Sequence, residues 1–172
     1  MKIALITLAM AFAVLIPKLE ETSEGDIREV EVKPECEETV VTIPLKRAGR
    51  LLMIEAEVDS IKGNFIFDTG APYLVLNKTY FRDYKNRKKG TASGIAGSEA
   101  VQSVLLDHLQ FRGITYHNLD ADLANLGAIE NVRGIKILGL LGFNLFKEFE
   151  MEIDVRNGVL KLYKTDEEGK TI

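Results

Sequence analysis

The chain has 172 residues, 46% of them hydrophobic, with 22 basic and 26 acidic side chains for a formal net charge of −4. That is enough apolar chain for one globular domain with a real core and some spare length at the ends. Low complexity, internal repeats and a strongly basic surface are excluded, and the single cysteine, Cys36, excludes an intrachain disulfide and a cysteine-rich metal site.

Residues 3–16 follow Met1-Lys2 and are apolar except for Thr7. A basic start, a short apolar core and small residues at Ala9, Ala11 and Ala13 read as a signal peptide, with an uncleaved short membrane anchor over 1–16 as the alternative. The run is shorter than the ~18 residues of a comfortable span. Either way the rest of the protein is expected outside the cytoplasm: periplasmic, secreted or anchored facing outward. Residues 17–38 carry nine acidic residues against Lys18, Arg28 and Lys33, a local charge of −6, and read as a solvated linker. Removing that segment and Lys2 leaves residues 39–172 at +1, which does not indicate a nucleic-acid partner. The basic cluster Arg82, Lys85, Arg87, Lys88 and Lys89 has no interleaved run of aromatic residues to stack bases. Cys36 follows Pro34-Glu35 rather than small residues, so it is not a lipid-anchor cysteine. It reads as a free thiol, or as one that pairs between subunits.

Residues 39–46 and 51–58 alternate in hydropathy and read as two strands joined by the polar connection 47–50. A turn over 59–63 feeds residues 64–67 into the stretch Phe65-Ile66-Phe67-Asp68-Thr69-Gly70-Ala71-Pro72, and a second apolar run, 73–76, follows. An apolar strand thus delivers one carboxylate into a turn of small residues flanked on both sides by core, so Asp68 is expected to be partly desolvated. One reading makes Asp68 half of a catalytic pair of aspartates. The other makes it a turn cap that accepts a backbone N–H two residues on, with Gly70 supplying an unusual dihedral.

Asn77 predicts an N-cap for a short helical turn through Tyr80 and Tyr84. Asn77-Lys78-Thr79 is also a glycosylation sequon, meaningful only in a eukaryotic secretory pathway. Residues 90–97 are small apart from Ile95. Strands are predicted over 101–106 and 109–116 with Asp107-His108 at their junction; if they pair, the glycine-rich segment is the tip of a mobile hairpin suited to cover an extended ligand, and otherwise it is an ordinary glycine loop. Residues 120–130 read as an irregular connection with one helical turn. Residues 137–142 read as a buried strand ending in glycines, 143–149 as a short amphipathic helix, and 151–155 and 159–163 as a hairpin about Asn157-Gly158. The polar tail 164–172 is expected to be loose.

Other chemistries fail on spacing. His108 and His117 have no third ligand in register, so a zinc site is not expected. Ser98, His108 and Asp120 lack a nucleophile elbow. Gly169-Lys170-Thr171 has no first glycine of a phosphate loop.

Taken together, the 65–71 motif, the glycine-containing segment Gly94 to Gly97, Ile137-Leu138-Gly139 before a short helix, and the closing hairpin resemble the retropepsin-like aspartyl proteases, especially the single-domain cellular and bacterial group. The resemblance covers residues 39–163, with the signal or anchor, the linker and the polar tail outside it. It implies an all-β, closed acid-protease barrel with one short helix near the C-terminus. It also implies an aspartic endopeptidase with Asp68 as the catalytic carboxylate, Thr69 bonding across a homodimer and Gly70 keeping the approach open. Ala71, Gly94, Ile95, Ala96 and Gly97 would contact an extended peptide, and Ile137, Leu138 and Gly139 would support the catalytic turn from behind. No cofactor or metal is implied. Viral members follow their hydrophobic-hydrophobic-Gly element with Arg and a polar residue where this chain has Leu140-Leu141, and Pro72 replaces the Ser or Asp they often carry.

One carboxylate cannot perform this hydrolysis, and the sequence has no second Asp-Thr-Gly. The partner must be Asp68 of another copy across a two-fold axis. Two ionised carboxylates ~3 Å apart repel by about 5 kcal/mol at an effective dielectric of ~20, so such a pair shares one proton. A peptide-binding or assembly module that keeps the fold without a catalytic dimer is the competing function.

Overall fold

The computed structural model describes residues 33–84, 86–94 and 97–172, and for 86–94 and 97–101 the backbone alone. The apolar segment 3–16 and most of the acidic linker lie outside the described residues, as do Ile95 and Ala96. Alternating burial along 39–58 produces β1 (Val40–Pro44), a short β2 (Lys46–Ala48) and β3 (Leu51–Val58). The turn Asp59-Ser60 then leads into β4 (Ile61–Asp68). Both turn residues have positive φ, 44° and 76°, and the Asp59 carboxylate accepts the His108 N–H at 2.8 Å, which offsets that strain. β5 (Val75–Asn77) runs into the single turn α1 (Lys78–Phe81), capped by the Asn77 side chain as expected.

β6 (Asn86–Gly94) and β7 (Gly97–Phe111) form one long hairpin, and β7 pairs on its other side with β8 (Ile114–Ala124). Here the expectation needs correction. Asp107-His108 is not a junction between strands but the middle of β7; the turn is Arg112-Gly113, at φ 46° and 81°. The polar pair misleads because Asn118, opposite Asp107, takes φ 52° and interrupts the ladder for one step only. Within the glycine-rich stretch, residues 90–94 belong to β6 and Gly97 opens β7, with Gly94 and Gly97 paired. Residues 120–130 are more regular than expected: β8 continues to Ala124 with Asp120 and Asp122 alternating with buried Ala121 and Leu123, and the helical turn expected there is α2 (Gly127–Arg133).

β9 (Gly139–Gly142) passes into a 3₁₀ turn (Phe143–Phe146) shorter than the helix expected over 143–149, because Phe149 already opens β10 (Phe149–Asp154). β10 returns as β11 (Val159–Lys164) through residues 155–158, with Asp154 accepting the Asn157 backbone N–H at 2.8 Å. The tail is not loose. Asp166 accepts the N–H groups of Glu168 and Lys170, and Thr165 bridges to Thr171.

The six strands β3-β4-β9-β5-β8-β7 hydrogen-bond in that order, and β7 returns to β3 through Val58↔Leu109 to close the barrel. The all-β closed barrel is the fold class expected from sequence. β1, β11 and β10 make a separate three-stranded sheet whose Val41, Ile43, Leu160 and Leu162 join the main core with Phe65, Phe67 and Leu141. A second apolar cluster of Met53, Ile66, Leu126 and Ile137, with Leu51, Ile129, Ile135 and Leu140 packed on it, lies on the other face of β4 and β9.

Candidate active site

Alternation along β4 decides where Asp68 points. Phe65 and Phe67 enter the main core, whereas Ile66, two residues before Asp68, belongs to the second cluster. Asp68 therefore shares the face of Ile66 and, across the parallel β4–β9 ladder, of Leu140. The carboxylate stands half-buried at the strand's end, and Thr69 and Gly70 are exposed.

The turn is held from two directions. Gly70 N–H donates to Asp68 Oδ1 at 2.9 Å, and Ala71 N–H to the Asp68 carbonyl at 3.3 Å. The carbonyls of Ala71 and Pro72 accept the N–H groups of Phe143 and Asn144 at 2.7 and 3.0 Å. Gly70 is not in the left-handed region. What it supplies is space: a Cβ there would lie 3.2 Å from Asp68 Oδ1. The Thr69 hydroxyl has no side-chain partner among the described residues.

β9 is the strand that joins the two arms of this turn. It pairs parallel with β4, Gly142 opposite Asp68, and antiparallel with β5, Leu76 opposite Gly139. The fit leaves no slack, since a Cβ at Gly139 would lie 2.2 Å from the Val75 carbonyl oxygen and one at Gly142 2.2 Å from that of Tyr73. Of the supporting residues read from sequence, Gly139 lies beside Phe65, while Ile137 and Leu138 are fully buried just ahead of the strand. The residues directly behind the turn lie further on, Leu141 opposite Phe67 and Gly142 opposite Asp68, so here Phe143 and Asn144 follow the backing glycine. The sequence signal was present, because Leu140-Leu141-Gly142 repeats the hydrophobic-hydrophobic-Gly pattern three residues later.

Ile137 and Leu138 are anchored by polar groups that sequence reasoning passed over. Asn77, 0% exposed, donates from Nδ2 to the Ile137 carbonyl at 2.9 Å and from its backbone to the Leu138 carbonyl at 2.8 Å, and its Oδ1 accepts from Thr79 N–H. A side chain so enclosed is not available to a glycosyltransferase in the folded protein. Glu130 Oε1 accepts both Ile137 N–H at 2.7 Å and Tyr80 O–H at 2.8 Å.

Gly94 and Gly97 form the last register pair of the β6–β7 hairpin, flanking the undescribed Ile95 and Ala96. Ser98 and His108 lie ten residues apart along β7, about 33 Å of extended chain, so no serine triad assembles. His108 and His117 are register partners, with Asp59 beside the first and Glu35 beside the second.

The segment from Ile54 to Leu145 carries nearly all of this barrel, and residues 54–145 match the family model described as aspartyl protease. The chain belongs to the aspartyl protease family. The match starts inside β3 and ends in the 3₁₀ turn, so this aspartyl protease segment contains the Asp68 turn, the β6–β7 hairpin, α2 and β9. Among solved structures the chain is similar to a retropepsin-like aspartic protease from Rickettsia conorii, at 21% sequence identity and a TM-score of 0.49, over 77% of this chain and 94% of that one. A comparison with curated proteins finds no match.

Proposed function

We propose that the protein is an aspartic endopeptidase whose two catalytic carboxylates are Asp68 of one copy and Asp68 of a second. The observation that carries this reading is the turn itself: one carboxylate per chain, presented at a strand end beside exposed Thr69 and Gly70 and fixed from behind by β9. A two-fold axis beside Thr69 brings the carboxylates together and gives the unpartnered threonine hydroxyl a partner across the interface. Phe143, 47% exposed although its N–H is bound to Ala71, adds an apolar contact to the same face.

In the dimer one Asp68 is ionised and the other protonated. The ionised carboxylate takes a proton from water, whose oxygen attacks the scissile carbonyl carbon; the protonated partner gives its proton to the carbonyl oxygen. The resulting gem-diol collapses as the first carboxylate passes its proton to the amide nitrogen, the C–N bond breaks, and the second recovers a proton from the diol hydroxyl. No covalent intermediate and no cofactor take part. Substrate is an extended apolar peptide running over Ala71 and under the tip that includes Gly94, Ile95, Ala96 and Gly97. Ile137, Leu138 and Gly139 support the turn by fixing the entry into β9. In this reading the apolar segment 3–16 directs export.

The test is cleavage of a mixed peptide library by the full chain, wild type beside Asp68→Asn, from about pH 4 to 7. Cleavage by the wild type alone supports the dyad. No cleavage by folded, dimeric wild type makes the protein a peptide-binding module.

A further inference from the structure

We propose that Glu130 is a positioning residue for Asp68, acting through residues 136–138, the segment that carries the chain into β9. The proposal rests on the reading of Asp68 given above. Leu138, just ahead of β9, is held by backbone bonds to β4 and β5, whereas the N–H and C=O of Ile137, one residue further out, go to side chains. Their polar groups go to Glu130, Asn77 and the Asn64 carbonyl, with Leu138 N–H donating to the last at 2.8 Å. Asn64 Nδ2 reaches the Lys136 carbonyl at 3.4 Å. Three elements therefore converge on three residues: β4 through Asn64, β5 through Asn77 and α2 through Glu130. Only the Glu130 contribution is ionisable.

The same carboxylate oxygen also accepts the Tyr80 hydroxyl, and Lys136 Nζ lies 4.3 Å from the centroid of that ring. Tyr80 from α1 and Lys136 from the segment ahead of β9 are the titratable groups facing Glu130, with the Asn77 amide beside them. Arg133, on α2 itself, reaches Gly49 instead. Desolvation is the largest single effect on Glu130 and raises its pKa, but the donors Ile137, Tyr80 and Asn77 with the Lys136 charge together outweigh it and leave the group below the usual carboxylate range. A depressed pKa means the latch is intact above the ordinary carboxylate value and is lost as pH falls through the folded value. β9 runs from Gly139 beside Phe65 to Gly142 beside Asp68 and packs on the Val75 and Tyr73 backbone with no space for a Cβ, so the segment that sets its entry also sets where Gly142 stands.

The experiment records ¹H–¹⁵N spectra of the full chain from about pH 3 to 7, wild type beside Glu130→Gln. The Ile137 amide should move through an acid transition that Gly142 and Phe143 share, and that shared step should vanish in Glu130→Gln. With a cleaved peptide, Glu130→Ala should lower kcat about tenfold with KM little changed, and Glu130→Gln should restore most of the loss near neutral pH. Gly142 and Phe143 amides indifferent to the replacement, or Glu130→Ala that lowers only thermal stability, would overturn the proposal. If the wild type cleaves nothing, the reading of Asp68 fails and the spectra still decide the latch.

Discussion

The Asp68 carboxylate accepts the Gly70 N–H two residues on, as the turn-cap reading expected, and the same turn leaves Thr69 and Gly70 exposed beside it. Asp68→Asn keeps volume and the Gly70 bond while removing the ionisable group, so cleavage should disappear with fold and dimer unchanged; residual turnover in the mutant would rule out the mechanism. Thr69→Ala should weaken the dimer by about 1 kcal/mol for each cross-subunit hydrogen bond lost, roughly fivefold in Kd by sedimentation equilibrium. Asp68 was legible in the sequence because a charge between two apolar runs is anomalous on its face. Asn77 was only half legible. Its capping role is local, but its burial depends on the Ile137 carbonyl sixty residues away, and nothing near Asn77 announces that partner.

At the scale of elements, β9 does what hydrogen bonds within the turn cannot, holding β4 and β5 on either side of Asp68. Gly142→Ala should cost about 3 kcal/mol, because its methyl meets backbone, which cannot rotate aside. Gly70→Ala should cost much less stability, its nearest atom being a carboxylate oxygen at 3.2 Å, while still crowding Asp68. Urea midpoints of the two variants compare these effects, and equal losses would contradict the account of β9. The buried strand itself was readable from its unbroken apolar run. Which of its two glycines backs Asp68 was not, because both follow two apolar residues and only the register with β4 separates them. The continuation of β8 to Ala124 was missed for a related reason: Asp120 and Asp122 alternate with buried Ala121 and Leu123, and acidic residues at alternate positions resemble a loop.

The molecule as a whole draws acid and alkaline limits from groups outside the Asp68 turn. Lys46 and then Lys62 hydrogen-bond Glu55 and hold it at about 2, and Glu130, Glu152 and Asp154 are also lowered by their donors. Each contributes stability above the ordinary carboxylate range that is lost as pH falls through the lowered value. Tyr84 is shifted the other way, pushed up to about 12 by desolvation and then by the Asp59 charge, so its neutral form stabilises the fold until pH rises past about 10. The urea midpoint should therefore hold from about pH 5 to 9 and fall through the acid range below and the alkaline range above, only modestly where solvent screens the pairs. A midpoint that stays flat through that acid range would show that these pairs contribute nothing. Closure of the barrel could not be read from strand patterns alone, since Val58 meets Leu109 across fifty residues; the resemblance supplied the closed barrel, and the ladder shows where it closes.

The central claim, that two copies of Asp68 make one site, is tested most directly by mixing. Wild type and Asp68→Asn are combined at fixed total concentration and allowed to exchange subunits before cleavage is measured. If each site needs both carboxylates, activity follows the square of the wild-type fraction, so an equal mixture retains about one quarter. An equal mixture retaining about one half would mean that each chain works alone, and would contradict the shared dyad.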